Sequence, residues 1–247
     1  MRRQSGNKNL VMTDAEAAKA RAENPSNIRQ ATDDNQKTTD GLLDGKDLKS
    51  GRGYNAFWID PGNNYANVKG TWRTSWIVDP PNGKLPAKPG ANKAFEGFGS
   101  FDTYETRPLS ERCILFGRQA GPIMLNSIYN NNMQFVQTPD TVMILVEMVH
   151  DARIIRIDAD PRPANHRPWL GDSIGHWEGE SLVVTTSQFN PSQRFRNSSE
   201  NFKIIERFTR VGEDRINYEF TASDPDTWTD DWSAQIPMNR TADKMYE

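Results

Sequence analysis

The residues with the greatest potential for chemistry stand at the end of one apolar segment, Thr141–Arg156. The segment is almost wholly apolar as far as Val149, and it then presents His150, Asp151 and Arg153. Because a segment of that composition must be buried, it carries an imidazole, a carboxylate and a guanidinium to the edge of a hydrophobic core. Burial of such groups is costly unless they are paired or take part in function. The segment therefore predicts a site where these charged groups act or pair.

Alternation along an extended strand decides which of these side chains can act together. His150 and Asp151 are adjacent and would point to opposite faces, whereas Asp151 and Arg153 share a face and are expected to pair. This argues against a direct Asp–His relay of the hydrolase kind. Glu206 lies among the aromatic and aliphatic residues of a later predicted strand. We expect it either to form a structural ion pair with an inward Arg or His, or to have a raised pKa suited to general acid catalysis.

The first functional hypothesis is a cofactor-independent enzyme that acts on a small organic molecule by acid–base chemistry in a barrel cavity. The reaction would be of the lyase, hydratase, isomerase or hydrolase type. His150 would serve as the base, with Glu206 as the acid or as the partner of His150. Arg153 would stabilise an anion or enolate, and Asp151 would orient Arg153. The predicted substrate contacts are aromatic, amide and imidazole side chains, namely Tyr129, Asn131, Trp169, His176, Trp177 and Tyr218.

Two other hypotheses use the same residues without catalysis. In the first, the chain is a calycin-like carrier of an apolar or aromatic ligand, and its charged residues form structural pairs. His150 would then be a hydrogen-bonded core histidine. In the second, the chain is an interaction protein whose aromatic stretch Tyr54–Trp76 binds a partner or a second copy of the chain. Aromatic side chains line the ligand pockets of many barrels, so the aromatic content suits the carrier as well as the enzyme.

Motifs for cofactors and metals are absent from the sequence. It contains no phosphate-binding glycine loop, dinucleotide fingerprint, GxSxG elbow or kinase motif. The histidines His150, His166 and His176 are too far apart in sequence to resemble the close pairs of zinc sites. The single cysteine, Cys113, excludes an internal disulfide and is more often a buried small hydrophobe than a nucleophile. We therefore expect no cofactor and no metal.

Composition divides the chain into a polar arm, residues 1–53, and a β-rich domain, residues 54–247. The arm contains no aromatic residue, so it is expected to be largely disordered, or a short helix around Thr13–Glu23 capped by Thr13 or Asp14. The net charge of −3 gives no basic face for nucleic acid. The apolar stretch Leu10–Met12 is too short for a signal peptide or a membrane span. We expect either a protein made without a leader, or a leader missing from this chain.

The second half of the domain, residues 129–247, has the pattern of an antiparallel meander, whereas residues 54–128 are aromatic and rich in loops. Within 54–128 we expect Trp72–Val78 to be extended, with alternate residues on one face, and Leu109–Phe116 to form one short helix or strand. Turn signals separate about eight short strands, and helical periodicity is almost absent. A sheet of that size normally curls or closes. We predict a mainly β fold, either a β-barrel or a strongly curved sheet of calycin or lipocalin type, with a two-sheet sandwich as the alternative. The predicted strands are Met133–Gln137, Thr141–Val149, Ile154–Asp158, Ile174–Glu178, Ser181–Ser187, Phe202–Arg210, Arg215–Ala222 and Trp232–Met238.

Five motifs of this chain resemble those of an uncharacterised bacterial protein family of proteobacteria and acidobacteria. They are YNNNMQFVQTPD, VEMVHDARIIRID, WLGDSIGHWEGESLVV, SSENFKIIERFTRV and YEFTASDPDTW followed by IPM. The resemblance covers roughly Ser110–Met238 and implies a periplasmic or secreted protein, with a cytoplasmic location as the alternative. Two features depart from the family pattern: a basic residue other than His is usual in place of His176, and relatives continue beyond Glu247 with a Cys-His-Glu-containing tail. The expected partner is a small molecule, with no nucleic acid, no integral membrane contact and a possible homo-oligomer.

Overall fold

The structure is a computed structural model that describes most of the predicted β-rich half and parts of the rest. Two elements near the start of the chain are the strand β1 (Val11–Met12) and the helix α1 (Asp14–Ala22). Two further short strands follow, β2 (Ala66–Val68) and β3 (Thr71–Arg73), and they form an antiparallel sheet in the order β1-β3-β2. The described residues are 9–23, 65–91, 103–104, 107, 109–116, 121, 123–126, 130–193, 195, 198–242 and 245.

Of the alternatives predicted for this part of the arm, the structure has the short helix, and Thr13 rather than Asp14 is its cap. The Thr13 side chain accepts a hydrogen bond from the backbone N–H of Glu16, and the Glu16 carboxylate accepts one from the backbone N–H of Thr13. This reciprocal capping box satisfies backbone donors at the start of the helix. The helix rests on β3, where the indole N–H of Trp72 donates to Asp14 at 2.7 Å and the Arg21 guanidinium lies over the same ring.

The remaining strands form one sheet of nine, which confirms a mainly β fold. Its spatial order is β4-β12-β11-β10-β9-β8-β7-β6-β5, so neighbours along the chain from β5 to β12 are also neighbours in space. The strands are β4 (Ile77–Asp79), β5 (Met133–Gln137), β6 (Thr141–Val146), β7 (Ala152–Ile157), β8 (Asp172–Glu178), β9 (Ser181–Ser187), β10 (Lys203–Gly212), β11 (Arg215–Ser223) and β12 (Trp232–Asn239).

One pairing departs from the predicted antiparallel meander. Strands β7 and β8 are parallel, with Ile155 opposite Ser173. A parallel pair needs a crossover, and the proline-rich segment 158–171 supplies it. Buried Asp172 anchors the crossover, because its carboxylate accepts hydrogen bonds from the Arg156 guanidinium at 2.9 Å and from the backbone N–H of Arg162 at 2.9 Å.

Three segments differ from the predicted secondary structure. The predicted strand Thr141–Val149 stops at Val146, because a 3₁₀ turn with positive φ at Val149 and His150 follows. The segment Trp72–Val78, which was expected to be continuous, is divided between β3 and β4 in two different sheets. Residues 109–116 form turns rather than the predicted short helix or strand, and Cys113 is exposed there, which corrects its expected burial.

The large sheet buries one face around a core that is rich in aromatic rings. Alternation sends Ile204, Glu206 and Phe208 of β10 to this face, and it sends Tyr218 and Phe220 of β11 to the same side. The rings of Phe208 and Tyr218 stack with centroids 5.0 Å apart, and those of Tyr218 and Phe220 lie 5.4 Å apart. The interior is therefore filled with side chains along these two strands.

The sheet must curl, because residues on distant strands touch. Strands β5 and β10 are separated by five interstrand steps, which on a flat sheet would hold them about 24 Å apart. Yet the rings of Phe135 on β5 and Phe208 on β10 have centroids only 5.7 Å apart. Among the described residues β4 and β5 do not pair, so no closed barrel is found there. In the same part of the chain, none of the helices has the length and apolar composition that crossing a membrane requires.

Candidate functional site

A buried polar cluster of Arg153, Glu206 and Tyr218 lies inside the curled sheet. The two terminal nitrogens of Arg153 donate to the two carboxylate oxygens of Glu206, at 3.0 Å and 2.7 Å. The Tyr218 hydroxyl donates to the same carboxylate at 2.7 Å. The exposed fractions of the three side chains are 1%, 0% and 0%. The predicted inward Arg partner of Glu206 is therefore present, and it is Arg153.

Strand alternation and the curl together build this cluster. Strand β7 alternates between exposed Ala152, buried Arg153, exposed Ile154 and buried Ile155, so the guanidinium takes a core position in an otherwise aliphatic row. On a flat sheet β7 and β10 would be about 14 Å apart, three interstrand steps. The strand register separates Arg153 and Glu206 further along the strand direction. Ile155, two residues after Arg153, is level with Ile204, which lies two residues before Glu206. The curl is what brings the two charges into contact.

Burial and the charge of Glu206 act in opposite directions on the pKa of Arg153 but in the same direction on the pKa of Tyr218. Burial works to lower the pKa of Arg153, but the charge and hydrogen bonds of Glu206 outweigh it, and the pKa is raised. Burial, together with the nearby charge of Glu206, raises the pKa of Tyr218 well above its ordinary value. The phenol is therefore neutral at physiological pH and acts as a hydrogen-bond donor to the carboxylate.

The cluster is closed on one side by backbone from the segment before β5. The backbone N–H of Met124 donates to the Tyr218 hydroxyl at 3.4 Å. A Cβ at Gly121 would lie 3.2 Å from a terminal nitrogen of Arg153, so the main chain packs closely over the guanidinium. The Nε of Arg153 is buried without a hydrogen-bond partner. The sequence analysis did not identify Gly121 or Met124, although a glycine shortly before the apolar run Ile123–Leu125 was a signal for such an approach.

His150 does not join the cluster, and the predicted partnership between His150 and Glu206 is wrong. His150 is exposed in the 3₁₀ turn, while both carboxylate oxygens of Glu206 are occupied by Arg153 and Tyr218. The prediction relied on the alternation of side chains along a strand. That alternation does not apply to His150, because its φ of 43° is not that of an extended strand. Arg153 and Glu206 converge, but His150 does not.

Asp151 does not pair with Arg153, contrary to the prediction. Its carboxylate accepts a hydrogen bond from the backbone N–H of Phe116 at 3.2 Å, while Arg153 turns to Glu206. Burial raises the pKa of Asp151, opposed by the Phe116 hydrogen bond and by the nearby His150. Its observed contact therefore tethers the turn segment 109–116 to the start of β7.

The predicted substrate contacts are dispersed. Tyr129 lies outside the described residues, and Tyr218 belongs to the buried cluster. Partly exposed Asn131 precedes β5, and partly exposed Trp169 lies in the crossover between β7 and β8. His176 is exposed and lies 3.1 Å from the Glu178 carboxylate, on the opposite face of β8 from Trp177. The roles assigned to these residues remain predictions.

Trp177 belongs to an apolar rim at one end of the sheet. It shares the core-facing side of β8 with Gly175, yet it is 44% exposed. Four other core-facing residues at or near this end pack on the core and remain partly exposed. We call these five residues the apolar rim: Phe135, Ile157, Trp177, Ile216 and Met238.

Two depressions on the described surface are lined by residues that the sequence analysis did not identify. One, of about 270 Å³, lies at the β10–β11 hairpin, and the other, of about 470 Å³, lies beside the segment 223–231. Neither is lined by Arg153, Glu206 or His150. In the part of the chain that the structure describes, no three metal-ligating side chains form a group that could hold an ion.

Comparison with known proteins does not identify a family for this chain. No protein-family model matches it, and no curated protein and no solved structure matches it either. The family resemblance and the exported location that it implies therefore remain predictions.

Proposed function

We propose that the chain is a calycin-like binding protein that holds an apolar or aromatic small molecule at the apolar rim. The observation that carries the proposal is the exposure of core-facing apolar side chains at one end of the curled sheet, with Trp177 the most exposed. Apolar surface in contact with water is a source of binding free energy. The rim also adjoins the stacked core through the contact between Phe135 and Phe208.

Both carboxylate oxygens of Glu206 already accept hydrogen bonds, and this favours a carrier over the enzyme in which His150 is the base. A general base or acid must reach the substrate proton within hydrogen-bond distance. Glu206 is already engaged by Arg153 and Tyr218 and is excluded from solvent. The cluster then acts as a structural polar core, and the ligand binds without being transformed.

Binding of the uncharged apolar fluorophore Nile red tests the rim. We expect Trp177→Ala to weaken binding about tenfold, the equivalent of about 1.4 kcal/mol, because an aromatic ring is lost from the contact surface. The matched control is Ile205→Ala, since Ile205 is equally exposed but lies on the outer face of β10. Equal weakening in both variants would show that the dye binds without preference for the rim.

Native mass spectrometry of the purified protein tests the carrier assignment itself. A stoichiometric apolar ligand that is recovered unchanged after prolonged incubation is the expected result. Conversion of that ligand to a species of different mass, or to an isomer with a different chromatographic retention time, would instead establish an enzyme.

One observation keeps acid–base catalysis as a second candidate. The Nε of Arg153 is a buried donor without a partner, beside a carboxylate and a neutral phenol. Buried ionisable groups of this kind are frequent at functional sites. In this alternative, Arg153 stabilises an anion, and Arg153→Lys lowers turnover at least about tenfold while circular dichroism shows that the protein stays folded. A folded variant that keeps full turnover would remove Arg153 from the mechanism.

A further inference from the structure

The depression at the β10–β11 hairpin has the side-chain chemistry of an anion site. It lies between the β2–β3 hairpin of the small sheet and the β10–β11 hairpin of the large sheet, and its volume is about 270 Å³. Two of its side chains are cationic, two are amides and none is a carboxylate. The lining residues are Asn67, Lys69, Gly70, Val211, Arg215 and Asn217.

Arg215 is held in place at the seam between the two sheets. Its Nη2 donates to the backbone carbonyl of Asn67 at 3.2 Å. Its Nε is buried and has no hydrogen-bond partner, so the guanidinium is short of acceptors. A guanidinium that is already oriented loses little rotamer freedom when it binds a planar oxyanion, and it offers several donors in a fixed geometry.

The charged groups around the depression leave its positive charge largely uncompensated. Among the residues that the structure describes, Lys69 has no carboxylate partner. Asp214, in the adjacent turn, lies 3.6 Å from Arg240. Glu219, which follows on the same face of β11, stands opposite Arg207 in register. Asp214 therefore has a cationic partner, and neither Glu213 nor Glu219 lines the depression.

We propose that this depression binds the oxyanion of a small molecule, either a carboxylate or a phosphate group. Lys69 supplies a mobile point charge, Arg215 a preorganised fork of donors, and the two amides neutral donors that fix orientation. The volume is slightly below the usual range of ligand pockets, which favours a small ligand. This site lies on the outer face of the sheet and is independent of the apolar rim.

Isothermal titration calorimetry with inorganic phosphate in one arm and succinate in the other tests the site on the full chain. We expect saturable binding of one anion per chain with a Kd below about 1 mM. Arg215→Ala should weaken binding at least about tenfold, because a charge-assisted contact is lost. The matched control is Arg210→Ala, a cation on the same hairpin that donates to the carbonyls of Gly212 and Glu213 and does not line the depression.

Each outcome of the anion titration either supports the proposed site or overturns it. Binding of phosphate alone, of succinate alone or of both supports the site and identifies which oxyanion it accepts. Absence of saturable binding in both arms overturns the proposal, as does equal weakening by Arg210→Ala. If circular dichroism shows that Arg215→Ala does not fold, Lys69→Ala and Asn217→Ala replace it. Each should weaken binding about three- to tenfold without changing the thermal melt, and unchanged affinity in both would equally overturn the proposal.

Discussion

Two arginine–glutamate pairs on opposite faces of the sheet differ most in their surroundings. Glu206 and Arg207 are adjacent on β10, and alternation sends the first into the core and the second to the outer face. Inside, Glu206 meets Arg153 at 2.7 Å with Tyr218 as a third member. Outside, Arg207 meets Glu178 at 2.6 Å, and His176 is the third member.

Burial, rather than contact distance, decides what each pair contributes. The inner pair is removed from water, so each charge relies on the other and on Tyr218 for the interactions that solvent would have supplied. The outer pair stays hydrated and screened, and its attraction is largely offset by the ordering of long side chains. Similar distances therefore have very different consequences for stability.

The largest effect is expected from Glu206→Gln. This change leaves the Arg153 charge buried and without a counter-charge, and it should lower the free energy of unfolding by about 3–5 kcal/mol. Urea denaturation followed by circular dichroism measures the loss. A loss no larger than that of the exposed variant Glu178→Gln, the same chemical change in the outer pair, would break the comparison.

A double variant sharpens the same point. Arg153→Met combined with Glu206→Leu removes both charges, so the double variant should recover most of the stability that Glu206→Gln loses. A double variant as unstable as the single one would mean that the cluster also determines the packing of the interior.

A smaller effect is expected from Tyr218→Phe. The variant removes the hydrogen bond to Glu206 and the acceptor of the Met124 N–H, at a cost of about 1.5–3 kcal/mol. Because the pKa of Tyr218 is raised in the folded state, the folded protein holds this proton where the unfolded chain releases it. Wild-type stability should therefore fall as the pH rises above about 10, and this fall should be shallower in Tyr218→Phe. Thermal melts over that range measure the difference, and parallel pH profiles would contradict it.

The smallest effect is expected from the outer pair. The hydrogen bond from Arg207, and then that from His176, lowers the pKa of Glu178. Its contribution to stability is therefore present above the ordinary glutamate pKa and is lost as the pH falls through the lowered value. Glu178→Gln should change the urea midpoint only slightly, and added salt should remove the difference. A large effect that persists in salt would show that the outer pair is also structural.

Local features of the fold were predictable because they depend on neighbouring residues. Ser181–Ser187 was predicted as a strand and is β9 with the same bounds, and Thr13 caps its helix as expected. Turn residues and alternation carry that information within a few positions. The parallel pairing of β7 with β8 was missed, because it depends on how the crossover 158–171 returns to the sheet.

The candidate site was only partly predictable for the same reason. Arg153, Glu206 and Tyr218 were each singled out by residue type and strand parity, but their mutual contact depends on a curl across several strands. His150 was misassigned because parity holds only in extended backbone, and the turn at Val149 interrupts it. Arg215 and Lys69 were not singled out, since these two residues are separated by more than a hundred positions in the chain and come together only where the two sheets meet.

The sequence by itself determined the mainly β fold, the positions of most strands and the presence of charged residues at core positions. Those properties follow from composition and the two-residue period of a strand, which are local. Only the tertiary structure decided that Arg153 belongs with Glu206 and Tyr218, that Asp151 binds the backbone of Phe116, and that His150 faces solvent. The apolar segment Thr141–Arg156 thus carries one charge into the core and leaves the others nearer the surface. The curl of the sheet brings Arg153 to Glu206 because it sets which distant side chains meet, and the turn at Val149 leaves His150 outside the core.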